Sequence, residues 1–174
     1  MRRARLVKVI SGGQTGVDQA ALRAAQASGL AIGGWCPPGR ESEAGPIPER
    51  FPLRETPAER SPEAPHVPRS QRTEWNVRDS DGALILTRQR ERDAAGDAGS
   101  AWAAECARRY GRPLLACDPA DPRAATRIVE WLHATPIETL SVGGPSERTQ
   151  PGIGEAAYSL LVEVFGQLAG ARSS

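Results

Sequence analysis

Five short apolar runs, set between stretches of helical periodicity, constrain this chain more than any other feature. They are residues 6–11 (LVKVIS), 30–35 (LAIGGW), 82–87 (GALILT), 112–117 (RPLLAC) and 138–144 (ETLSVGG). Each is short and bounded by turn residues, so each is predicted to be a buried strand. Between them lie helical patterns. Residues 16–28 place Ala20, Ala21, Ala24 and Ala25 on one face, which suits close approach to a sheet. Residues 72–78 form a short helix, followed by an Asp81-Gly82 turn. Residues 99–110 end at Gly111, a suitable C-cap. From about Pro122 to His133, Ile128, Val129 and Leu132 share a face. Last, Ile153, Ala156, Ala157, Leu160, Leu161, Val164, Phe165 and Leu168 recur at three- and four-residue steps, with Pro151 near the first turn. Strands alternating with helices predict a three-layer α/β sandwich with a central, mostly parallel sheet and right-handed crossovers. A chain of 174 residues suits a single domain, and no internal repeat is present.

One segment departs from the pattern. Nine of the fifteen prolines fall between Pro37 and Pro68, interleaved with Arg and Glu. Regular strands or helices of more than a few residues are excluded there. This insertion, at about residues 37–70, is either a lid over a site or a disordered, solvated excursion. Residues 88–99 (RQRERDAAGDAG) read as a polar loop.

The net charge of +1 gives no global field for nucleic acid or an anionic membrane. Arg supplies 21 of the 22 basic residues, Lys8 being the exception. Arg forms bidentate contacts with phosphate, but a biased genome composition, together with the high alanine content, accounts for the excess. Cys36, Cys106 and Cys117 are widely spaced, with no C-x-x-C or Cys/His cluster. Neither a zinc site nor a disulfide framework is indicated, and reduced thiols in a cytoplasmic protein are expected. His66 and His133 have no partner spacing for a metal; His133, near a helix end, suits the C-terminal dipole. The apolar run in residues 1–10 is too short for a signal-peptide core, and no stretch approaches a membrane span.

The first strand runs into SGGQTGVDQAALRAA, residues 11–25. No Gly-Lys-Ser/Thr ends it, so it is not a P-loop, and it lacks the G-x-G-x-x-G dinucleotide spacing. In a parallel sheet, ligands bind along the edge shared by the strand C-termini. Three segments on that edge combine glycine with a helix start: Gly12–Asp18, Gly143–Gly152, and the turn at Gly99-Ser100. Glycine admits close backbone approach, and a helix N-terminus favours an anion. Thr15 and Ser100 add hydroxyl donors. Their convergence points to a small, phosphate-bearing, nucleotide-like ligand. Asp18, in the first helical turn, either offsets the helix dipole, accepts hydrogen bonds from ligand amines or hydroxyls, or acts as a base. Arg148 and Arg40 are each either a phosphate ligand or a solvated loop residue.

SGGQTGVDQAAL, GGWCPPGR, RTEWNVRDSDGALIL and GGPSERTQPGI stand in the order seen in the putative molybdenum carrier family, also called molybdenum-cofactor carrier proteins. That family resembles a circularly permuted branch of the LOG-like (SLOG) group of Rossmann-type nucleotide-binding proteins. The resemblance runs from about Val7 to the final helix. It implies a Rossmann-like (LOG-like) fold, a homo-oligomer (dimer or tetramer), and a pocket for an anionic ligand. For carriers in the family, that ligand is the molybdenum cofactor (molybdopterin), a pterin with a dithiolene and a terminal phosphate. The family's glycine turn matches Gly12, Gly13, Gln14, Thr15, Gly16 and Asp18. Its Trp-Cys-Pro segment matches Trp35, Cys36, Pro37, Gly39 and Arg40. Its Arg-Thr…Asn segment matches Arg72, Thr73 and Asn76, with Ser80-Asp81 also fitting. The last glycine turn supplies Gly143, Gly144, Pro145, Glu147 and Arg148. Where relatives usually carry Gly-Gly-Thr, this chain reads Ala98-Gly99-Ser100, and Ala98 tolerates positive φ less cheaply than glycine. The Pro-rich loop also looks longer than the family's.

Cys36 could be a soft ligand to molybdenum. The buried structural thiol is the preferred reading, because the dithiolene already supplies sulfur and a carrier must release its cargo. Binding and storage of the cofactor leads two alternatives. LOG-like relatives include phosphoribohydrolases acting on nucleoside monophosphates. There Asp18 would stabilise the oxocarbenium-like sugar or position water, although the enzymes' acidic residue falls nearer Gln19. The other alternative is a nucleotide-sensing module with no chemistry.

Overall fold

The computed structural model describes residues 3–88 and 97–172. In chain order its elements are β1 (Lys8–Ile10), α1 (Val17–Ala27), β2 (Ala31–Gly33), β3 (Trp35–Cys36), β4 (Glu41–Ser42), β5 (Gly45–Pro46), β6 (Arg54–Glu55), α2 (Ser70–Arg78), β7 (Gly82–Leu86), α3 (Ala98–Arg109), β8 (Leu114–Cys117), α4 (Ala124–Ala134), β9 (Thr139–Gly143) and α5 (Ile153–Arg172). The five expected strands form one sheet in the order β2-β1-β9-β7-β8, every neighbouring pair parallel. The chain moves outward from β1 to β2, then crosses to β7 and moves outward the other way to β8. β9 returns to the centre. The C-terminal ends of β1, β9 and β7 therefore lie side by side where the direction of winding reverses. Of the expected polar loop over 88–99, residues 89–96 lie outside the described residues. No helix among the described residues is long and apolar enough to cross a membrane.

Alternation along β7 separates the two sides of the sheet, because successive side chains point to opposite faces. Leu84 and Leu86 join the main core with α1, α4 and α5, while Ala83 and Ile85 join a smaller core with Val77 of α2 and Trp102, Ala103, Cys106 and Ala107 of α3. The alanine face of α1 is wholly buried: Ala20, Ala21, Ala24 and Ala25 are at most 2% exposed. With no side chain beyond Cβ, these residues let α1 lie close against α5 and the sheet. The large side chains come instead from α4, α5 and the strands, where Ile128, Leu132, Leu140, Ile153 and Leu161 are fully buried. Burying each stabilises the fold by roughly 1.5–3 kcal/mol before entropy is counted.

The expected strand over 30–35 is broken at Gly34. Its φ is 130°, and a Cβ there would stand 2.4 Å from the Ser11 carbonyl oxygen and 2.9 Å from Asn76 Oδ1. The chain turns out of the sheet at this point. Asn76 then acts as a surrogate strand: its Oδ1 accepts from the Trp35 N–H (2.8 Å) and its Nδ2 donates to the Trp35 carbonyl (2.9 Å). Beyond it, β3 pairs in parallel with β6, away from the main sheet.

The Pro-rich segment is ordered and packed, neither a solvated excursion nor a bare lid. It carries only two-residue strands, as its prolines require, including the β4–β5 hairpin. Ile47, Phe51 and Leu53 form a satellite core with Leu22 of α1 and Cys36. Side chains satisfy backbone groups that no sheet can reach. The Arg40 guanidinium donates to the carbonyls of Leu53, Pro48 and Phe51. Ser70 accepts from Ser61 N–H and donates to the Ala64 carbonyl, and Gln71 accepts from Ala58 N–H. Phe51 is fully buried, so Phe51→Ala is expected to cost about 3–5 kcal/mol. Thermal unfolding checks this: the midpoint falls while a single transition is kept. An unchanged midpoint would mean that the segment does not fold with the sheet.

Candidate functional site

The turn after β1 is held mostly by the protein itself. A Cβ on Gly12 would come 2.7 Å from Arg72 Cδ, and one on Gly13 (φ +82°) would come 2.7 Å from Leu53 Cδ1. At Gly16 (φ +81°) it would meet the Pro145 carbonyl oxygen at 2.5 Å. The three glycines thus admit α2, the Pro-rich segment and the β9–α5 turn respectively. Pro145 also caps α1, its carbonyl accepting from Val17 N–H. Gly144 serves similarly against the Leu86 carbonyl and Val17, whereas Gly143 and Gly99 face open or nearly open space.

Asp18 lies beneath this turn, 2% exposed. Its Oδ2 accepts from Gln14 N–H (3.2 Å) and stands 3.5 Å from Arg72 Nη1. Burial raises its carboxyl pKa above the ordinary value; the Arg72 charge and the Gln14 N–H pull it down less strongly. Asp18 therefore joins α1 to α2, and it is not among the residues lining the three cavities described below.

Gln14 is the unusual member of the turn. Its Oε1 accepts two backbone N–H groups, from Thr15 and Glu43, both at 2.9 Å. Two donors on one oxygen fix the orientation of the amide. The Nε2 group is buried and makes no hydrogen bond among the described residues, although the side chain is only 6% exposed. Arg72 Nε is likewise buried and unpartnered. Both residues line a cavity of about 210 Å³ bounded by Arg69, Thr73, the α3 start at Ala98–Ser100, and Gly143-Gly144. Arg69 enters α2 in the left-handed region (φ 58°), its N–H bonded to Glu59; among the described residues its guanidinium has no partner.

The remaining sequence candidates divide. Thr15, Gly16, Glu147 and Arg148 line a second cavity, of about 480 Å³, across Glu43 from the first. Glu147 caps α5, accepting from the N–H groups of Gly152 and Gly154. Gly12 and Asn76 line a small recess of about 30 Å³ behind Arg72. The others are structural in this geometry. Trp35 N–H and carbonyl go to Asn76 and its indole N–H to Asp79; Pro37 and Gly39 form the turn before Arg40; Ser80 donates to the Val77 carbonyl. Arg40 spends its guanidinium on the carbonyls of Leu53, Pro48 and Phe51 and so clamps the Pro-rich segment. Cys36 is fully buried, and burial pushes its thiol pKa up. His133 accepts the Ala4 N–H on Nδ1 (3.0 Å), so it anchors the N-terminal segment rather than the α4 carbonyls. Ala98 and Gly99 both lie within α3, and neither adopts positive φ, so the Ala for Gly replacement introduces no strain. That helix is not free for an anion at every N–H, because Asp97 accepts from both the backbone N–H and the hydroxyl of Ser100.

A model of the circularly permutated YpsA SLOG family matches residues 9–165. The chain belongs to that family. It is also similar to a solved structure from Syntrophus aciditrophicus SB, named "Putative molybdenum carrier protein": identity is 37%, the TM-score 0.80, and the match covers 94% of this chain and 96% of that one. No curated protein matches the chain.

In this circularly permuted YpsA chain, sequence reading missed Glu43, Arg69, Asp97 and Ser146. Glu43, at the tip of the β4–β5 hairpin, accepts from Thr15 Oγ1 (3.4 Å) and Ser146 Oγ (2.9 Å). It thereby links two glycine turns separated by 131 positions in sequence, and nothing local marks it. Asp97 alone carried a local signal, an acidic residue three before Ser100 at a helix start.

A raised carboxyl pKa means that native Asp18 holds its proton to higher pH than the unfolded chain does. Its contribution to stability is then fully present below pH 3.8 and is lost as pH rises through the native value. The stability of wild type relative to Asp18→Asn is expected to fall as pH rises above the ordinary carboxyl value of 3.8, measured by urea unfolding. A difference that grows with pH would mean that pairing with Arg72 outweighs burial.

Proposed function

We propose that this chain binds a phosphate-bearing small molecule in the cavity between Gln14, Arg69, Arg72 and the start of α3, and carries it without transforming it. The unpartnered Gln14 amide supports this reading most directly. A buried donor without an acceptor costs roughly 1–3 kcal/mol, and its oxygen is already committed, so a ligand oxygen is the natural partner. Arg72 Nε and the Arg69 guanidinium add cationic donors suited to phosphate.

The molybdenum cofactor is the proposed cargo, in line with the name of the similar Syntrophus protein. The cavity, at about 210 Å³, is smaller than the roughly 300–1,000 Å³ of small-molecule pockets. It suits the terminal phosphate of such a ligand rather than the pterin. No cysteine lines it, so the metal would keep the dithiolene sulfur it arrives with. The burial of Asp18 under the turn favours the carrier reading over a hydrolase that would use it as catalyst.

Gln14→Glu tests the site. It keeps the oxygen that accepts from Thr15 and Glu43 but replaces the free donor by an anionic acceptor. Isolated cofactor is expected to bind wild type saturably under anaerobic conditions, and the variant at least about tenfold more weakly. Unchanged affinity would place the site elsewhere. Binding of nucleoside monophosphates in place of the cofactor, with the same sensitivity to Gln14→Glu, would keep the site and replace the cargo.

A further inference from the structure

We infer a second anion site on the other side of Glu43, built for a small molecule that carries two or more linked phosphates. It goes beyond the first site and does not depend on it. The cavity there measures about 480 Å³, within the size range of small-molecule pockets. Three arginines from three separate segments line it: Arg23 of α1, Arg50 of the Pro-rich segment and Arg148 of the β9–α5 turn. None of the three guanidiniums forms a hydrogen bond or ion pair among the described residues. Two are nevertheless positioned. Arg23 lies 4.5 Å from the centre of the Tyr158 ring, and Arg50 lies 5.0 Å from that of Phe51. Stacking orients a guanidinium without neutralising it or occupying its N–H groups.

The acids beside them are turned into the fold. Glu43 directs its two oxygens to the Thr15 and Ser146 hydroxyls, and Glu147 directs its two to the Gly152 and Gly154 N–H groups. The Glu147 charge is set against the α5 dipole. Glu155, in the first turn of α5, is the one carboxylate of the wall not committed in this way. Three guanidiniums from three segments, none spent on a protein acceptor among the described residues, thus belong to the lining of one cavity of about 480 Å³, more room than a single phosphate fills. A chain of phosphates presents its oxygens at several points, and each pairs with the guanidinium fork.

Titration calorimetry of the full chain with inorganic pyrophosphate, orthophosphate and citrate tests this. The tight class of pyrophosphate sites is expected to number one per chain, with affinity at least tenfold above that for orthophosphate. The Arg50→Gln/Arg148→Gln double variant, changed only at exposed side chains, should lose about tenfold or more in pyrophosphate affinity, and Arg108→Gln, on α3 and outside the cavity, should change it less than twofold. The inference is overturned by the absence of saturable pyrophosphate binding, by binding that the arginine variant leaves intact, or by citrate binding as tightly as pyrophosphate. Because Gln14→Glu reports on the first cavity and the arginine variant on the second, failure at one site leaves the other standing.

Discussion

Arg72 crosses directly over Gly12 and meets Asp18 beneath the turn that follows β1. The arrangement of the turns along the C-terminal edge of the sheet depends on this crossing. Gly12 must lack a Cβ for the side chain to pass. Asp18 must be buried to receive it, at a desolvation cost that the pairing offsets only in part. In return α2, which arrives from a long irregular segment, is registered against the first strand. Asn76, one helical turn along α2, then holds Trp35 and releases the chain from the sheet at Gly34.

The sheet was legible because its signal is local and repeated. A strand buried on both faces of a parallel sheet is commonly apolar throughout, so β7 stands out as a run whatever its neighbours, and β9 is marked by Leu140, Val142 and the glycine pair that follows. The alanine face of α1 and the three- and four-residue steps of α5 likewise carry their own periodicity. The strand expected over 30–35 failed at its last residues because the steric limit comes from the Ser11 backbone, far along the chain.

The site was half legible for the same reason. Glycine turns mark where backbone must come close to something, and Gln14, Arg72, Thr73, Gly99, Ser100, Gly143 and Gly144 do converge on one cavity. What approaches each glycine cannot be read from the glycine. Gly13 receives Leu53 and Ile47, and Gly16 receives Pro145; both turns look ligand-ready and are filled by protein. Conversely, Glu43 sits amid prolines with no local pattern, yet it separates the two cavities and touches both turns. Motif positions thus locate the neighbourhood, while the free donors within it depend on partners supplied by distant segments.

The central position of β9 has a consequence for how the polypeptide matures. β1 and β7 are never neighbours; each hydrogen-bonds to β9. Without β9, the pairs β1–β2 and β7–β8 share no hydrogen-bonded neighbour, and β1 and β7 each lack a partner on the inner edge. Exposed strand edges of this kind invite pairing with other chains. Of the five strands of this sheet, the one last in sequence joins the halves, and the turn that follows it brings Ser146 to the first cavity. Joining the two halves thus depends on pairings distant in sequence, a topology associated with slow folding.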